Sequence, residues 1–158
     1  MKTSLLLSTF VAFALSAPGA FAKPGWEDEF DKGVAKAKSE NKMALVDFTG
    51  SDWCVWCIKL DKEIFSKQEF KDYAKENLVL VEVDFPQLKP LPKEHQERNN
   101  ELAKKYEIEG YPTVVVLSSE GKEIGRLGYM EGGPKAFVAA LKKIAEKNGA
   151  AGKTAAAE

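Results

Sequence analysis

Residues 46–57 read Val46-Asp47-Phe48-Thr49-Gly50-Ser51-Asp52-Trp53-Cys54-Val55-Trp56-Cys57, or VDFTGSDWCVWC. The stretch opens inside Met43–Phe48, a short and almost wholly apolar run that reads as a buried strand. Thr49-Gly50-Ser51-Asp52 follows as a turn with good helix-starting residues. From Cys54 the spacing of Ile58, Ile64 and Phe65 predicts a helix. The only two cysteines among 158 residues therefore fall at i and i+3 in the first turn of a helix. That spacing brings both sulfurs onto one face, close enough to bond or to be bridged.

Such a pair has three possible uses. As a structural staple it is weak, because closing so short a loop removes unfolded-chain entropy worth about 2 kcal/mol at best. As a metal site it is short of ligands. A closed zinc site takes four, and this chain has no third cysteine and one histidine, His95, far along the sequence. Only a half-site shared between two chains would remain. As a redox couple it fits. The unpaired N–H groups and the dipole at a helix start stabilise a negative sulfur, and ease of ionisation governs thiol reactivity. Cys54 is expected to be the exposed, attacking sulfur, and Cys57, one turn in, the more buried, resolving one.

Outward from this stretch the elements follow in order. Trp26, Phe30, Val34 and Ala37 share one face of a helix predicted over residues 26–41. Ser66-Lys67-Gln68-Glu69 resembles a capping box that restarts the helix after Phe65, with Phe70, Tyr73 and Ala74 facing inward. Leu78–Asp84 is a second buried strand, and the proline-rich segment from Pro86 to Pro92 cannot be regular. A polar helix is predicted from His95 to Tyr106, and a third strand over Thr113–Leu117. Ser119-Glu120-Gly121-Lys122 turns into a hairpin partner, Glu123–Leu127, and Pro134 opens a last helix ending at Asn148-Gly149. Helix-linked strands followed by a hairpin imply an α/β fold, a central mixed sheet flanked by helices on both faces.

The ends of the chain set expectations about compartment. Met1-Lys2 is a short positive start, Leu5 to Ala17 an apolar run without charge, and Ala20-Phe21-Ala22 a small-x-small pattern. This predicts a signal peptide over 1–22, cleaved after Ala22, and hence a periplasmic or secreted protein. The run is too short and too broken by Pro18-Gly19 for a membrane span. A domain over 23–149 and a disordered tail over 150–158 complete the expected layout. Removing residues 1–22 takes away Lys2 alone among the charged residues, leaving 22 basic against 24 acidic. That balance suggests neither nucleic acid nor an anionic membrane as partner.

VDFTGSDWCVWC resembles the strand, loop and Trp-Cys-x-x-Cys helix start of the thioredoxin-like superfamily, and Gly110-Tyr111-Pro112-Thr113 is similar to its Gly-x-Pro-Thr before the third main strand. The likeness runs from about Trp26 to Asn148. It implies a cis bond before Pro112, which would lie against the sulfurs and leave neighbouring backbone free to pair with an extended substrate. Tyr111 and Gly128-Tyr129 would flank the same groove, Trp53 would cover its edge, and Trp56 would stand at the substrate surface. Asp47 occupies the place of the family's buried carboxylate, which handles the resolving thiol's proton. It lies seven residues before Cys54, one more than in thioredoxin itself. Burial would raise its pKa and suit it to that role. Lys59 reads as solvated rather than as its partner. The Pro86–Pro92 loop and the helix from His95 lengthen the crossover beyond thioredoxin's.

The resemblance thus implies an extracytoplasmic thiol–disulfide oxidoreductase acting on protein thiols and disulfides, with a lean towards reduction. No organic cofactor or metal is required, since the electrons sit on the two sulfurs. A membrane-bound electron donor, a monomeric state and no stable membrane insertion are expected. The rival is a thioredoxin-fold peptide-binding module or chaperone whose disulfide is inert.

Overall fold

The computed structural model describes residues 22–149; residues 1–21 of the expected signal peptide and the tail over 150–158 lie outside the described residues. Four strands, β1 (Met43–Thr49), β2 (Leu78–Asp84), β3 (Thr113–Leu117) and β4 (Glu123–Leu127), form one sheet in the order β2-β1-β3-β4. β1 is parallel to β2 and antiparallel to β3, which is antiparallel to β4. The mixed sheet expected from the pattern is therefore present. Its central strand, β1, is buried along its whole length, as a strand covered on both faces must be.

Alternation along the strands distributes two cores. Met43 and Leu45 of β1 pack with Leu60, Ile64, Phe65, Phe70 and Phe137 on one face. Ala44, Val46 and Phe48 pack with Phe30, Leu102 and Tyr106 on the other. The first face is covered by α2 (Val55–Leu60), α3 (Gln68–Asn77) and α5 (Gly133–Lys147), the second by α1 (Phe30–Glu40) and α4 (Lys93–Lys105). Phe65, Phe70 and Phe137 meet with ring centroids 4.9–6.0 Å apart, the tilted and edge-on contacts aromatic quadrupoles favour. By the same parity Asp47 and Glu82, directly opposite each other in the β1–β2 register, point to the α2 face.

Three local readings need correction. α1 begins at Phe30, not Trp26. Lys23-Pro24-Gly25-Trp26 forms a tight turn instead, with Trp26 N–H donating to the Lys23 carbonyl (3.0 Å) and Gly25 at φ +86°, a conformation that favours glycine. Glu27 then pairs with the outer edge of β2, donating to Leu80 O and accepting from Glu82 N, each at 2.8 Å. Trp26 still reaches the core by packing on Phe65, so a turn reproduces the helical spacing. Ser66 does not cap α3: its hydroxyl donates back to Lys62 O (2.8 Å), closing a π-helical turn, Asp61–Phe65, that continues α2. α4 begins at Lys93, ahead of His95. Among the described residues no helix is long and apolar enough to cross a membrane.

Candidate active site

β1 delivers the chain into the 50–53 turn at its C-terminal end, and the turn hands it to α2. The Cys54 N–H bonds Gly50 O (2.9 Å), so the turn is closed before the helix starts. Gly50 sits hard against the Trp53 indole, where a Cβ would come within 2.5 Å of the ring. Cys54 is the N-cap of α2: its backbone is extended and its Sγ accepts from Cys57 N–H at 3.2 Å. This donor would favour a thiolate at Cys54 in the reduced state. Here the two sulfurs are joined as the Cys54–Cys57 disulfide. The expected contrast in exposure is small, 7% for Cys54 against 3% for Cys57. Capping buries the first sulfur as well, and chemical asymmetry rests on position in the helix rather than on access.

The surroundings of the pair are aromatic. The Tyr111–Pro112 bond is cis. Trp53 stands edge-on to Tyr111 (5.9 Å between centroids), and Tyr111 packs on Phe85 (5.1 Å). Trp56 packs on Tyr129 at 5.2 Å, and Gly128 lies close to the Pro112 carbonyl. The residues expected to flank one groove are thus linked in pairs, Trp53 with Tyr111 and Trp56 with Tyr129. Val55 is 73% and Trp56 54% exposed, and Trp53 and Ile58 are also exposed, an apolar surface around the sulfurs of the kind that marks an interaction site. Lys59 is not the partner of Asp47. Its ammonium lies over the Trp56 and Tyr129 rings, 5.1 and 4.7 Å from their centroids.

Behind the pair lies a group of charges that local pattern reading missed. Asp47 is 2% exposed. Its Oδ1 has no hydrogen-bond partner among the described residues. Burial pushes its pKa up to about 7; Lys23 opposes that shift, while Glu82, Asp61 and Asp84 add to it. Glu82 is also raised by burial, again opposed by Lys23. The Lys23 ammonium lies 2.8 Å from Asp61, 3.3 Å from Glu82 and 3.9 Å from Asp47. Burial disfavours its charge, but Asp47, Glu82 and Asp61 together outweigh that and raise its pKa. Cys57, Lys23, Asp61 and Glu82 line a single cleft of about 570 Å³. Glu82 was legible only as a polar position in an apolar strand, and Lys23 carried no signal.

The long crossover is fastened to the same site. Asp52 accepts backbone N–H bonds from Gln87, Leu88 and Lys89 at 2.7–3.1 Å. These bonds, Gln87's foremost, hold its carboxyl below the usual range. The Trp53 indole N–H donates to Phe85 O (2.7 Å), and Asp84 accepts from Ser51 N and Oγ. The proline-rich segment, which cannot pair as a strand, is tied instead to the residues just before Cys54.

Known proteins agree with this geometry. The family described as thioredoxin-like domain matches residues 30–145. A disulfide bond reductase, DsbH, from Chlamydia pneumoniae is 40% identical over 125 residues, covering 79% of this chain and 75% of that protein. A thioredoxin-related protein, DsbJ, of the same organism is 32% identical over 103 residues, 65% of this chain but only 30% of its own length. A solved structure titled DsbH oxidoreductase superposes with a TM-score of 0.73 at 36% identity, covering 87% of this chain and 95% of that one.

Proposed function

The chain belongs to the thioredoxin-like family, and on that premise we propose that it is an extracytoplasmic protein thiol–disulfide oxidoreductase working in the reducing direction. The observation that carries this reading is the N-capping cysteine bonded to a second cysteine one turn on, with a buried carboxyl of pKa about 7 whose partner Lys23 shares a cleft with Cys57. The direction is supported by the description of the 40% identical relative as a reductase. The compartment is supported by the leader pattern over residues 1–22.

In the reduced enzyme the Cys54 thiolate attacks one sulfur of a protein disulfide. The substrate S–S bond breaks, the departing sulfur takes a proton from water, and a mixed disulfide joins Cys54 to the substrate. Cys57 gives its proton to the Asp47 carboxylate, which a pKa of about 7 equips to accept and release it near neutral pH. The Cys57 thiolate then attacks Cys54 Sγ, and the second substrate sulfur leaves. Two electrons have passed to the substrate, and the enzyme rests in the disulfide form seen in this structure. A dithiol donor, proposed to be a membrane-bound carrier, returns them. Substrate chain would lie across Trp53, Trp56, Tyr111 and the cis Pro112, where the exposed apolar surface would receive an extended peptide.

The test is reduction of insulin disulfides by the chemically reduced protein. Cys54→Ser should abolish it, and Cys57→Ser should accumulate substrate bound through Cys54. A Cys54→Ser protein that binds clients and leaves cellular disulfides as before would favour the peptide-binding module instead. The equilibrium potential against glutathione reports direction: near the ~−270 mV of thioredoxin for a reductant, near ~−120 mV for an oxidant.

A further inference from the structure

Lys23 is the residue that would follow the predicted cut, and both of its nitrogens face the acidic cluster. Its Nζ lies among Asp61, Glu82 and Asp47. Its backbone nitrogen donates to Glu82 Oε2 at 3.2 Å. Neither contact is a loose surface approach. The Pro24-Gly25 turn and the pairing of Glu27 with β2 fix the backbone on either side, and the Lys23 ammonium is seated over the Trp26 and Phe65 rings, 4.2 and 5.2 Å from their centroids. Ala22, the residue before the cut, lines the same cleft as Cys57.

We propose that Lys23 is a positioning residue whose second charge is made by processing: cleavage between Ala22 and Lys23 converts its backbone N–H into an α-ammonium held on Glu82, so that the proton site behind Cys57 is complete only in the cut chain. This rests on the reading above, in which the leader is removed and Asp47 serves Cys57. Water adds across the Ala22–Lys23 bond in the active site of a leader-cutting protease. The new carboxylate departs with Ala22, and the new amine takes up a proton. An ordinary α-amine is half protonated at pH ~7.7–8.0, and a carboxylate at hydrogen-bond distance favours the cation further.

The charge balance shows why this matters. Asp47 on β1, Glu82 and Asp84 on β2 and Asp61 on the π-helical turn face one another, and Asp84 is already engaged by Ser51. Among the described residues, one cation, Nζ of Lys23, is ion-paired with Asp47, Glu82 and Asp61. Lys62 and Lys89 also line the cleft. After cleavage Glu82 has an ammonium of its own, which leaves Nζ freer for Asp47 and Asp61. A precursor would therefore carry the two cysteines with Glu82 short of its second cation, and export would complete the charge balance of the cluster.

The experiment compares four full-chain products: the exported, processed protein, the unexported 158-residue precursor, and the exported Lys23→Met and Lys23→Arg variants. The N-terminus of each is read by intact mass, the Asp47 and Glu82 carboxyls are titrated by carbon NMR, and alkylation of Cys57 is followed against pH. The expected results are an N-terminus at Lys23 and a Glu82 titration at lower pH in the processed protein than in the precursor. Nα-acetylation of the processed protein should return Glu82 to its precursor behaviour. Lys23→Met should raise the Asp47 midpoint by about one pH unit or more, since a cation within ~4–6 Å lowers a carboxyl by ~1–3, and Lys23→Arg should restore it. A mature N-terminus elsewhere, or Glu82 titrating alike in cut, uncut and acetylated chains, overturns the proposal while leaving the oxidoreductase reading intact. Insulin reduction that survives Cys54→Ser would instead remove the oxidoreductase reading, whatever the N-terminus does.

Discussion

Replacing Asp47 by asparagine should stabilise the oxidised protein, and by an amount that depends on pH. The carboxyl titrates near 3.8 when unfolded and about 7 when folded. Below pH ~4 it is protonated in both states and contributes no difference. Between the two values the unfolded chain has released its proton and the folded chain has not, so native stability declines as pH rises. Above about 7 both are ionised, and the full penalty of holding a buried carboxylate is present. At about 1.4 kcal/mol per pH unit, the displacement amounts to roughly 4 kcal/mol. Asp47→Asn keeps the shape and removes the titration, while Lys23 retains Asp61 and Glu82. The variant should match wild type near pH 4 in urea unfolding and exceed it by up to about 4 kcal/mol at pH 8. Glu82 is present in both proteins and cancels to first order. The same variant should slow resolution by Cys57, visible as longer-lived mixed disulfides, so stability and turnover would move in opposite directions. A stability difference independent of pH, or one growing towards acid, would refute the reasoning.

Other consequences are open to measurement. Phe137→Ala removes a fully buried ring from the Phe65–Phe70–Phe137 contact and should cost about 3–5 kcal/mol in urea unfolding. Asp52→Ala frees three backbone N–H groups, and hydrogen exchange at Gln87, Leu88 and Lys89 should accelerate while the β1 amides keep their protection. Trp56→Ala removes an exposed ring beside the sulfurs and should raise KM for a protein disulfide several-fold, leaving the rate with a small aromatic disulfide within twofold of wild type.

Much of this architecture is written locally. The apolar runs at Met43–Phe48, Leu78–Asp84 and Thr113–Leu117 are strands because every residue in them must be buried or paired, and they fold as read. The cysteine spacing and the Gly-Tyr-Pro-Thr motif likewise located the disulfide and the cis bond. What escaped is of longer range. The Trp26, Phe30, Val34 and Ala37 periodicity extends into a segment that is not helical, because a turn can bring Trp26 to the core as well as a helix can. Ser66 has the composition of a cap, but a π-helical turn takes its hydroxyl first. The partner of Asp47 is not Lys59 nearby but Lys23, which reaches it through the added pairing of Glu27 with β2. No window of sequence joins residues 23, 47 and 82; the β1–β2 register and the Glu27 pairing do.

That short pairing at Glu27 has a further effect. β2 is the outermost strand on its side, and its free hydrogen-bonding groups would offer a template to any extended chain. By occupying Leu80 O and Glu82 N, residue 27 closes part of that border to an extended chain. Loosening the residues just ahead of α1 should therefore convert an exchanger of disulfides into a seed for aggregates.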